Sequence, residues 1–553
     1  MQKMMNRKRL LTIGVLLTSV WTLYAQPFET AAEAVKNMGV GWNLGNTLDA
    51  NNGGACPDIA QSETMWGQPI TKPELLTMMK EAGFGAIRVP VTWYPHMDSD
   101  GNVDGVWMAR VREVVDYVLN NGMYCILNVH HDTGEGTMWL HASTKVYASV
   151  KDRYAHLWRQ IAEEFKDYGE RLLFESYNEM LDEYNSWCFA SFAASSYNAT
   201  AAADAYKAIN LYAQDFVDVV RATGGNNAKR NLIVNTYGAC NGGGSWNSHL
   251  QDPLKNMELP ADTVAGSGHI AFEVHAYPTL ATAKSETNDI IKQLNAYLLP
   301  KAPVIMGEWG TGNPDPSASD YMKDPEKYLD FVRHFVEKAK EKDIATFYWM
   351  GLSDGAYRAQ PVFNQPDIAE AIVKTYYGSA DGFKYPTIEN AGGTMTCFEG
   401  EKALGWGNGI AINNSMFAAF GQSVQLVLSY TVTNDSGADI QFYYGDWSEK
   451  LTFTVDGKTY NEDYNPDGGN GTTQTTVVTF DEPVYTALTQ KGLMIHGSSV
   501  TMTKIVLQKG ATGVRSIVAT LSADNCTYDL KGHQVTIPRR GIFIQNSKKF
   551  VVK

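Results

Sequence analysis

Short apolar runs rich in β-branched residues alternate with longer amphipathic runs from about residue 37 to residue 377. The eight apolar runs are Gly39–Leu44, Ala86–Pro90, Tyr124–His130, Leu172–Glu179, Leu232–Thr236, Ile270–His275, Val304–Trp309 and Ala345–Met350. The helical runs between them are Thr71–Ala82, Trp107–Asn121, Asp152–Tyr168, Ala201–Ala222, Thr287–Leu298 and Pro325–Lys342. Eight strands that alternate with helices over about 340 residues predict an α/β fold, the (β/α)8 or TIM barrel. The alternative is a doubly wound sheet, but the GxGxxG turn typical of its first strand does not follow Gly39–Leu44.

The pattern changes near residues 376–380. Beyond them, short β-type runs are separated by turns rich in Gly, Asn and Asp. These runs are Ser423–Val432, Ile440–Tyr444, Lys450–Val455, Thr475–Phe480 and Val500–Gln508. Their length and spacing predict an antiparallel, all-β sandwich, and a small β-rich tail follows it. We therefore divide the chain into a barrel at 26–378, a sandwich at 379–510 and a tail at 511–553.

The amino-terminal residues predict export. Residues 1–25 have the pattern of a signal peptide, with a basic start, an apolar run at Leu10–Tyr24 and a small residue, Ala25, for cleavage. No later run reaches the length of about eighteen apolar residues that a membrane span needs. We expect a secreted or cell-surface monomer without a membrane span. The 6 cysteines are scattered without a CxxC pair, and Cys125 is expected to be a buried thiol.

Charge and composition narrow the range of partners. The 46 Lys and Arg residues against 60 Asp and Glu residues give a net charge of −14. Because nucleic-acid binders usually carry a basic face, we expect no nucleic-acid partner. The 13 Trp and 29 Tyr residues are more informative, since flat aromatic rings suit the C–H faces of sugars, although most of them are expected to pack in cores.

Polar side chains end most of the predicted barrel strands, which is where a barrel has its active site. These strand-end residues are Asn43, Asn46, Arg88, His130, His131, Asn178, Glu179, His275, Tyr277, Glu308, Trp309 and Trp349. Glu179 and Glu308 stand out, because an unpaired charge at the end of an apolar strand is costly. A structural ion pair, for example with Arg88, would explain one such carboxylate. Two of them, on the fourth and seventh strands, indicate the pair that glycoside hydrolysis needs, one as acid and one as nucleophile or base.

Other chemistries are less well supported by the sequence. His130, His131 and Asp132 suggest a metal site, but adjacent strand residues point to opposite faces, so we expect that the two histidines do not share an ion. Since no HExxH motif or Cys cluster accompanies them, we expect no metal and no cofactor. A serine hydrolase is disfavoured because a GxSxG elbow is missing. Glu175 shares the face of Glu179 and is interpreted as a structural carboxylate that is paired lower in the barrel.

Six stretches, in order along residues 37–350, resemble glycoside hydrolase family 5, most of all its endo-β-1,4-glucanase and xyloglucanase branch, subfamily 4. They are Gly41–Leu48, Ile87–Val91, Asn128–Asp132, Phe174–Glu179, Val274–Tyr277 and Gly307–Gly310. The resemblance implies a TIM barrel and retaining hydrolysis by double displacement. Two departures from the family pattern are Met180, where Pro is common, and Ala276, where an aromatic residue is frequent.

The resemblance also implies a role for each matching residue. Glu179 would be the acid/base and Glu308 the nucleophile, and Asn178 would bind the sugar 2-hydroxyl in the −1 subsite. Trp349 would form the hydrophobic platform of that subsite. The other residues expected to contact substrate are Asn43, Arg88, His130, His131, His275 and Tyr277.

Several aromatic residues and segments have two interpretations. Trp42 and Trp93 either stack on sugars in outer subsites or pack in the core, and Trp66 is a candidate wall of a minus subsite. The insert at 182–199 either shapes the cleft or forms a surface loop. In the sandwich, an exposed row formed by Trp406, Tyr443, Tyr444 and Trp447 would bind glycan chains. The run Gly492–Gly497, followed by Thr503–Leu507, resembles jelly-roll carbohydrate-binding modules, and the alternative is a packing or spacer domain. The tail resembles the C-terminal sorting tails of Bacteroidetes type IX secretion substrates in Tyr528–Gly532, Gly541–Ile544 and Lys548-Lys549.

The sequence therefore predicts a secreted, retaining endo-β-1,4-glucanase. It would cut internal bonds of cellulose, mixed-linkage glucan or xyloglucan. One alternative is an endo-β-1,4-mannanase with the same machinery, which differs in its contacts with the sugar 2-hydroxyl. A second alternative is a catalytically inactive glycan-binding protein.

Overall fold

The computed structural model describes residues 28–509, apart from 57, 135–137, 187–196, 246, 312–319, 389–392, 406, 419, 421–423, 435–436, 467–470 and 472, together with strand segments at 527–529, 541–545 and 548–552. The chain divides into two compact units, Met1–Thr396 and Cys397–Lys553. The predicted signal peptide, residues 187–196 of the insert, Trp406 and most of the predicted tail lie outside the described residues.

Eight parallel strands close into a barrel in the first unit. They are β1 (Val40–Asn43), β2 (Ala86–Val89), β3 (Tyr124–Asn128), β4 (Leu172–Glu175), β5 (Leu232–Asn235), β6 (Ile270–Ala276), β7 (Val304–Trp309) and β8 (Ala345–Tyr348). Each strand pairs with the next one along the chain, and β8 pairs with β1. This order confirms the predicted TIM barrel and excludes the doubly wound sheet.

Helices connect and surround the strands. They are α1 (Ala31–Met38), α2 (Ile59–Thr64), α3 (Pro73–Glu81), α4 (Gly105–Asn120), α5 (Thr144–Glu164), α6 (Ala199–Ala222), α7 (Asp252–Asn256), α8 (Ala283–Tyr297), α9 (Asp320–Lys323), α10 (Pro325–Lys340), α11 (Ala356–Ala359) and α12 (Pro366–Tyr377). Helix α5 begins well before the predicted Asp152, because the Ser143 side chain accepts a hydrogen bond from Val146 N and caps the helix there.

The inside of the barrel changes from apolar to polar along its axis. An apolar layer, closed below by α1, includes the inward side chains Ala86, Ile126, Leu173, Ile233, Ala271, Ile305 and Phe347. Side chains two positions apart on a strand share a face, so the next layer follows directly from the sequence. That layer consists of Asn43, Arg88, Asn128, Glu175, Asn235, Glu273 and Gly307. The apolar layer thus supports a polar layer at the carboxyl ends of the strands.

Strands β3 and β4 end earlier than the sequence predicted. The runs that reached His130 and Glu179 end as strands β3 and β4 at Asn128 and Glu175. Beyond these points the backbone still bonds to its neighbours, since His130 N donates to Val91 O at 2.8 Å and Asn178 N donates to Val129 O at 2.9 Å. The chain therefore leaves the barrel gradually and keeps the polar side chains at its rim.

The second unit contains antiparallel sheets. Its strands are β9 (Thr394–Ala403), β10 (Ile410–Ile412), β11 (Val424–Val432), β12 (Asp439–Tyr444), β13 (Phe453–Val455), β14 (Lys458–Tyr460), β15 (Thr473–Thr479), β16 (Leu493–Ser498) and β17 (Val500–Lys509). A three-stranded sheet has the order β10-β16-β12, and a six-stranded sheet has the order β14-β13-β15-β11-β17-β9. The Phe442 and Phe453 rings, one from each sheet, lie 4.6 Å apart between centroids, so the sheets pack as a sandwich.

The sandwich unit also holds two helices that the all-β prediction missed, α13 (Asn414–Ala418) and α14 (Glu482–Lys491). Helix α14 starts at a side-chain cap, where Asp481 accepts from Val484 N, and it buries Tyr485 and Leu488. Near the end of the chain, β18 (Thr527–Asp529), β19 (Gly541–Gln545) and β20 (Lys548–Val552) form an antiparallel sheet. Within the described part of the chain, no helix combines the length and apolar composition that crossing a membrane requires.

Candidate active site

Arg88 organises the polar layer at the carboxyl end of the barrel. Its Nε and Nη2 donate to the Glu175 carboxylate at 2.7 and 2.8 Å. Its Nη1 donates to Glu308 Oε1 at 2.8 Å and to Asn43 Oδ1 at 3.0 Å, and Nη2 also donates to Asn178 Oδ1 at 2.8 Å. All five N–H groups of the guanidinium are thereby used, and strands β1, β2, β4 and β7 are tied to one fully buried cation.

This arrangement locates Asn43, Asn178 and Glu175 around one cation. Asn43 and Asn178 both lie against Arg88, and the Asn43 amide also donates to Gly307 O at 2.8 Å. Asn43 is fully buried, so its contacts position Arg88. Glu175 is an inward carboxylate that is paired lower in the barrel than Glu179, as expected, and its partner is Arg88.

The carboxylate of Glu308 is held at both oxygens. Arg88 donates to Oε1, and the Tyr277 hydroxyl donates to Oε2 at 2.6 Å. His130 Nε2 lies 3.9 Å from Oε1, and His275 Nδ1 lies 3.5 Å from Oε2. Glu308 is 4% exposed, and two hydrogen-bond donors hold its carboxylate in place.

Glu179 lies across the rim from Glu308 and is joined to it through His275. Glu179 Oε1 lies 2.7 Å from His275 Nδ1, and an oxygen of each carboxylate and a ring nitrogen of His275 lie within 4.8 Å of one another. The side chain of Glu179 is 20% exposed, against 6% for that of Glu308. Two carboxylates at this distance, one more open to solvent and one held by donors, are a suitable pair for acid/base and nucleophilic roles.

The register between β6 and β7 brings His275 to this position. Along the lower part of the pair, Val274 is opposite Met306, but a register shift then places His275 opposite Glu308. A bulge of this kind redirects side chains next to it. The histidine and the carboxylate are therefore neighbours at the rim.

Burial and neighbouring charge move several pKa values at the site. Burial would lower the pKa of Arg88, but the surrounding carboxylates, led by Glu175, outweigh it and raise the pKa. Burial would also lower the pKa of His275, but Glu308 and Glu179 raise it to about 10. Burial, together with the charges of His131 and Arg88, holds the pKa of His130 well below its usual range, so that ring is neutral.

The tautomer of His130 follows from its partner. The Asn128 amide nitrogen, which is a donor only, lies 3.0 Å from His130 Nδ1. The neutral ring therefore accepts at Nδ1 and carries its proton on Nε2, which faces Glu308. Asn128 also donates to Glu175 Oε1 at 3.0 Å and so links His130 to the polar layer.

Cavities lie at the rim, and two of them share Tyr277, whose hydroxyl donates to Glu308, in their lining. One, of about 470 Å³, is lined by Trp349, Trp66, Asn46 and Tyr277 among others. The Trp349 ring lies parallel to His130 at 6.0 Å between centroids, and Trp66 is 38% exposed. The other, of about 230 Å³, is lined by Glu179, His275, Tyr277, Cys240 and Asn241 among others. A chain that passes over the carboxylates would enter both cavities.

The sequence predicts that His130 and His131 point to opposite faces, and this prediction is wrong. Their ring centroids lie 4.4 Å apart, and Asp49 Oδ2 lies 3.8 Å from His131 Nε2. Strand alternation fails here because β3 ends at Asn128, before both histidines. Two groups would each offer a metal three ligand atoms within 4.8 Å, namely Asp49 with His130 and His131, and Glu179 with His275 and Glu308. Asp49 already accepts hydrogen bonds from Asn46 N and Thr47 N.

The aromatic candidates separate clearly by exposure. Trp42 and Trp93 are fully buried in the barrel core, so both of them pack and neither is available to stack on a sugar. The Trp93 indole donates to Asn128 O at 2.9 Å. Trp66 and Trp349 line the larger cavity instead. Cys125 is buried in β3, as predicted, and burial raises the pKa of its thiol.

Sequence reasoning missed two polar residues of this site, Glu273 and Asn128. Glu273 is fully buried, and its Oε1 lies 3.2 Å from His275 Nε2 and 3.3 Å from Arg88 Nε. Both residues precede a predicted site residue by two positions, so strand alternation was the signal that would have found them.

Comparisons with known proteins agree with this geometry. A family model described as cellulase (glycosyl hydrolase family 5) matches residues 48–354. Endoglucanase A of Ruminococcus albus is 33% identical over 324 residues, which are 55% of this chain and 80% of that protein.

Two solved structures are also similar. A GH5-4 broad specificity endoglucanase from an uncultured bacterium is 57% identical, with a TM-score of 0.62 over 65% of this chain and 98% of that one. A glycoside hydrolase family 5 enzyme from Prevotella bryantii B14, solved as a mutant in complex with a xyloglucan tetradecasaccharide, is 42% identical, with a TM-score of 0.55 over 63% of this chain and 99% of that one. The closed barrel, the paired carboxylates and a family match over more than half of the chain lead to one conclusion: this chain belongs to glycoside hydrolase family 5 and is an enzyme of that family.

Proposed function

We propose that the chain is a retaining endo-β-1,4-glucanase. The observation that carries this proposal is the distance between the two carboxylates, since an oxygen of Glu179 and an oxygen of Glu308 lie within 4.8 Å. Retaining enzymes hold their carboxyl groups roughly 5–5.5 Å apart, whereas inverting enzymes need roughly 6.5–9.5 Å to admit a water molecule. The shorter distance supports direct attack by one carboxylate on the sugar.

In this proposal Glu308 is the nucleophile and Glu179 the acid/base. A Glu308 oxygen attacks the anomeric carbon, the glycosidic C–O bond breaks, and the leaving oxygen takes the proton of Glu179. In the second step Glu179 removes a proton from water, and the water oxygen displaces Glu308 from the anomeric carbon. Donors from Arg88 and Tyr277 hold the carboxylate of Glu308 in place, and the greater exposure of Glu179 supports its exchange of protons with the leaving group and water.

The shape of the rim supports an internal cut in a polysaccharide. The two cavities that share Tyr277 in their lining leave room for sugar units before and after the broken bond. Trp349 would stack on the sugar in the −1 subsite, and Trp66 would border the same side. The similarity to proteins named endoglucanases and to a family 5 enzyme solved with xyloglucan favours β-1,4-glucans as substrates over β-mannan.

Release of reducing ends from a substrate panel tests the proposal. The panel contains carboxymethyl cellulose, barley β-glucan, tamarind xyloglucan, glucomannan and pure β-mannan, with wild type and Glu308→Ala assayed in parallel. We expect activity on the glucans that is lost in the variant. Activity on pure mannan alone would favour the mannanase, and binding without turnover would favour an inactive glycan-binding protein. Proton NMR of the first product should show the β-anomer, and the α-anomer would contradict retention.

We also propose that the sandwich binds glycan on the outer face of its three-stranded sheet. Trp447 is 48% exposed, and its ring lies 5.2 Å from that of Tyr443 and 5.9 Å from that of His496. Gln441 shares the face of Tyr443 on β12 and accepts from its hydroxyl at 3.0 Å. Aromatic rings beside an amide group are suited to a sugar chain, whereas His496 is buried beneath them and Tyr444 is buried on the opposite face.

Affinity electrophoresis in gels with hydroxyethyl cellulose or xyloglucan tests this second site. The full chain carries Glu308→Ala, so that the polymer stays intact, and Trp447→Ala is added to it. We expect the added change to reduce the retardation, and Tyr460→Ala on the other sheet, as the matched control, to leave it unchanged. Equal retardation of all three chains would mean that this face is a packing or spacer surface.

We propose in addition that the protein is exported through the signal peptide at 1–25 and that the tail at 511–553 acts as a sorting segment. The basic and apolar start and the tail motifs support this proposal. Expression of the full chain and of a chain that stops at residue 510, in a host with type IX secretion, tests it. The full chain should reach the cell surface or medium and the shortened chain should not. Equal distribution of both would contradict a sorting role.

A further inference from the structure

Glu273 is a buried carboxylate in the polar layer, one layer below the two carboxylates of the proposed reaction. It is fully buried on β6, two positions before His275, and therefore shares the inward face of that histidine. Its Oε1 lies 3.2 Å from His275 Nε2, and its carboxyl group also hydrogen-bonds with that of Glu175. A carboxyl group that is fully buried is costly, so its presence requires an explanation.

The neighbouring strand makes room for this carboxyl group. A Cβ atom added at Gly307 on β7 would lie 1.7 Å from Glu273 Oε1. Any side chain at position 307 would therefore displace Glu273 from His275. Gly307 therefore leaves open the space that the carboxyl group of Glu273 occupies.

Charged and titratable groups face this pair from every side of the barrel. Arg88 Nε lies 3.3 Å from Glu273 Oε1, and Glu175 is hydrogen-bonded to the same guanidinium. The groups that face His275 are Glu179, Glu308, Tyr277 and His130. Burial and the charge of Glu175 raise the pKa of Glu273 to about 8, so its carboxyl group carries a proton at neutral pH. A protonated carboxyl group still offers an oxygen that accepts a hydrogen bond.

The two nitrogens of His275 therefore have different partners. Nε2 faces Glu273 Oε1 in the interior, and Nδ1 lies 2.7 Å from Glu179 Oε1 at the rim. A ring whose Nε2 proton is held by an acceptor has Nδ1 free to share a proton with Glu179. Because its pKa is raised to about 10, the wild-type ring carries protons on both nitrogens at neutral pH and shares the one on Nδ1 with Glu179. A ring without the acceptor at Nε2 would lose the Nε2 proton and keep a single proton on Nδ1, which a neutral imidazole does not release to the leaving group.

We propose that Glu273 is a positioning residue that keeps the proton of His275 on Nε2, so that Nδ1 and Glu179 share the proton needed by the leaving group. This inference rests on the proposed function, in which Glu179 is the acid/base. Glu273 acts through His275, while Gly307 keeps the space that Glu273 occupies.

Two substitutions of similar volume separate this role from simple packing. Glu273→Gln keeps an oxygen acceptor, and Glu273→Leu removes it. We expect Glu273→Gln to retain kcat/KM on a glucan within about threefold, and Glu273→Leu to lose about tenfold or more, which is within the range for loss of general acid catalysis. The basic limb of the Glu273→Leu profile should move down by about one pH unit, because the Glu179–His275 pair holds its proton less firmly.

The choice of substrate adds a readout that a packing defect would not produce. On an aryl glycoside with a good leaving group, which needs no proton, Glu273→Leu should stay close to wild type. Equal losses on both substrates, or an unshifted pH profile in Glu273→Leu, would overturn the proposal. Glu63→Gln is the matched control, since Glu63 is an equally buried carboxylate that pairs with Arg110 outside the site. It should lower the melting temperature and leave the pH profile unchanged.

Nitrogen NMR of the histidine rings gives a second readout that needs no turnover. The His275 signals are identified among those of the 11 histidines by comparison with a His275→Asn variant. Wild type should show a protonated Nε2, and a ring with its single proton on Nδ1 would overturn the inference even if Glu273→Leu does not fold. Absence of glucan hydrolysis by a wild type that shows the Nε2 proton would refute the proposed function and leave the role of Glu273 in positioning His275 intact.

Discussion

At the residue scale, the site is a set of hydrogen bonds centred on one buried cation. Arg88 ties Glu175, Asn43, Asn178 and Glu308 together, and each bond lies between 2.7 and 3.0 Å. Removing one partner of such a buried pair leaves an uncompensated charge and usually costs about 3–5 kcal/mol. Arg88 keeps both of its bonds to Glu175 when Glu308 or Glu179 is changed, so the catalytic assignments are best tested on these two carboxylates.

The two carboxylates should respond differently to truncation. Glu308→Ala should abolish turnover, because no oxygen remains to attack the anomeric carbon, and azide should restore turnover as a glycosyl azide of inverted configuration. Glu179→Ala should lose activity on glucans but keep part of it on aryl glycosides with good leaving groups, which need no proton. Rates on both substrate types, with circular dichroism as a check of folding, decide the matter. Equal loss of both activities in Glu179→Ala would contradict its assignment as the acid.

His96 gives a pH dependence of stability that arises far from the catalytic carboxylates. Its ring stacks on Trp107 at 3.7 Å between centroids, and Ser62 Oγ lies 3.0 Å from Nε2. Burial lowers the pKa of His96 to about 4, below the ordinary value of 6.5. The unfolded chain therefore takes up a proton more readily than the folded one, so stability is fully present above pH 6.5 and is lost as the pH falls toward 4.

Urea unfolding at pH 7.5 and pH 4.5, of wild type and His96→Gln, measures this contribution. Wild type should lose more free energy of unfolding between the two pH values than the variant, since the glutamine does not titrate. Other groups titrate equally in both chains, so the difference between the two losses isolates His96. Identical losses would show that protonation of this ring does not limit stability at acid pH.

At the element scale, the alternation of side chains along each strand builds the site. The same period that fills the barrel with Ile126, Leu173 and Ile233 places Asn128, Glu175 and Asn235 in the layer above them. The register shift on β6 then aligns His275 with Glu308. Between β6 and β7, the site also requires glycine at position 307, because a Cβ there would lie 1.7 Å from Glu273 Oε1.

Gly307→Ala should destabilise the barrel by about 1–3 kcal/mol, the usual cost of overpacking, because its Cβ would collide with Glu273. In a Glu273→Ala background the same change should cost much less, so a double-mutant cycle should give a clear coupling energy. Gly105→Ala is the control, since a Cβ at that position meets nothing within 4 Å. Urea unfolding of the four chains of the cycle measures the coupling, and additive effects would contradict the steric argument.

The sequence predicted the helices and strands well where one hydrophobic period runs through a segment, and poorly where the chain leaves a strand and forms a loop. All eight barrel strands were predicted, because buried parallel strands are short apolar runs bounded by helical patterns. The faces of His130 and His131 were predicted wrongly, since β3 ends two residues earlier than the apolar run suggests. Helix α14 was missed because its buried residues, Tyr485 and Leu488, are too few to show a helical period. The contacts of Glu273 depend on Gly307, a residue remote in sequence, so pattern alone did not reveal them.

At the scale of the whole molecule, the chain contains two compact units with separate cores. The barrel core lies between the strands and their helices, and the sandwich core lies between its two sheets, around Phe442 and Phe453. Units with separate cores commonly unfold as separate cooperative transitions, in which case a single melting temperature does not describe the chain.

Differential scanning calorimetry should therefore resolve two transitions, and ligand should separate them further. A xyloglucan oligosaccharide added to Glu308→Ala at 100 times its dissociation constant should stabilise the barrel by about 2.7 kcal/mol, because it binds the folded state alone. Phe442→Ala, which truncates a fully buried side chain of the sandwich, should lower the other transition and leave the ligand-sensitive one in place. If the sandwich also binds glycan as proposed, its transition rises with ligand as well, and Trp447→Ala cancels that rise. A single transition that responds to both the ligand and Phe442→Ala would mean that the two cores unfold as one.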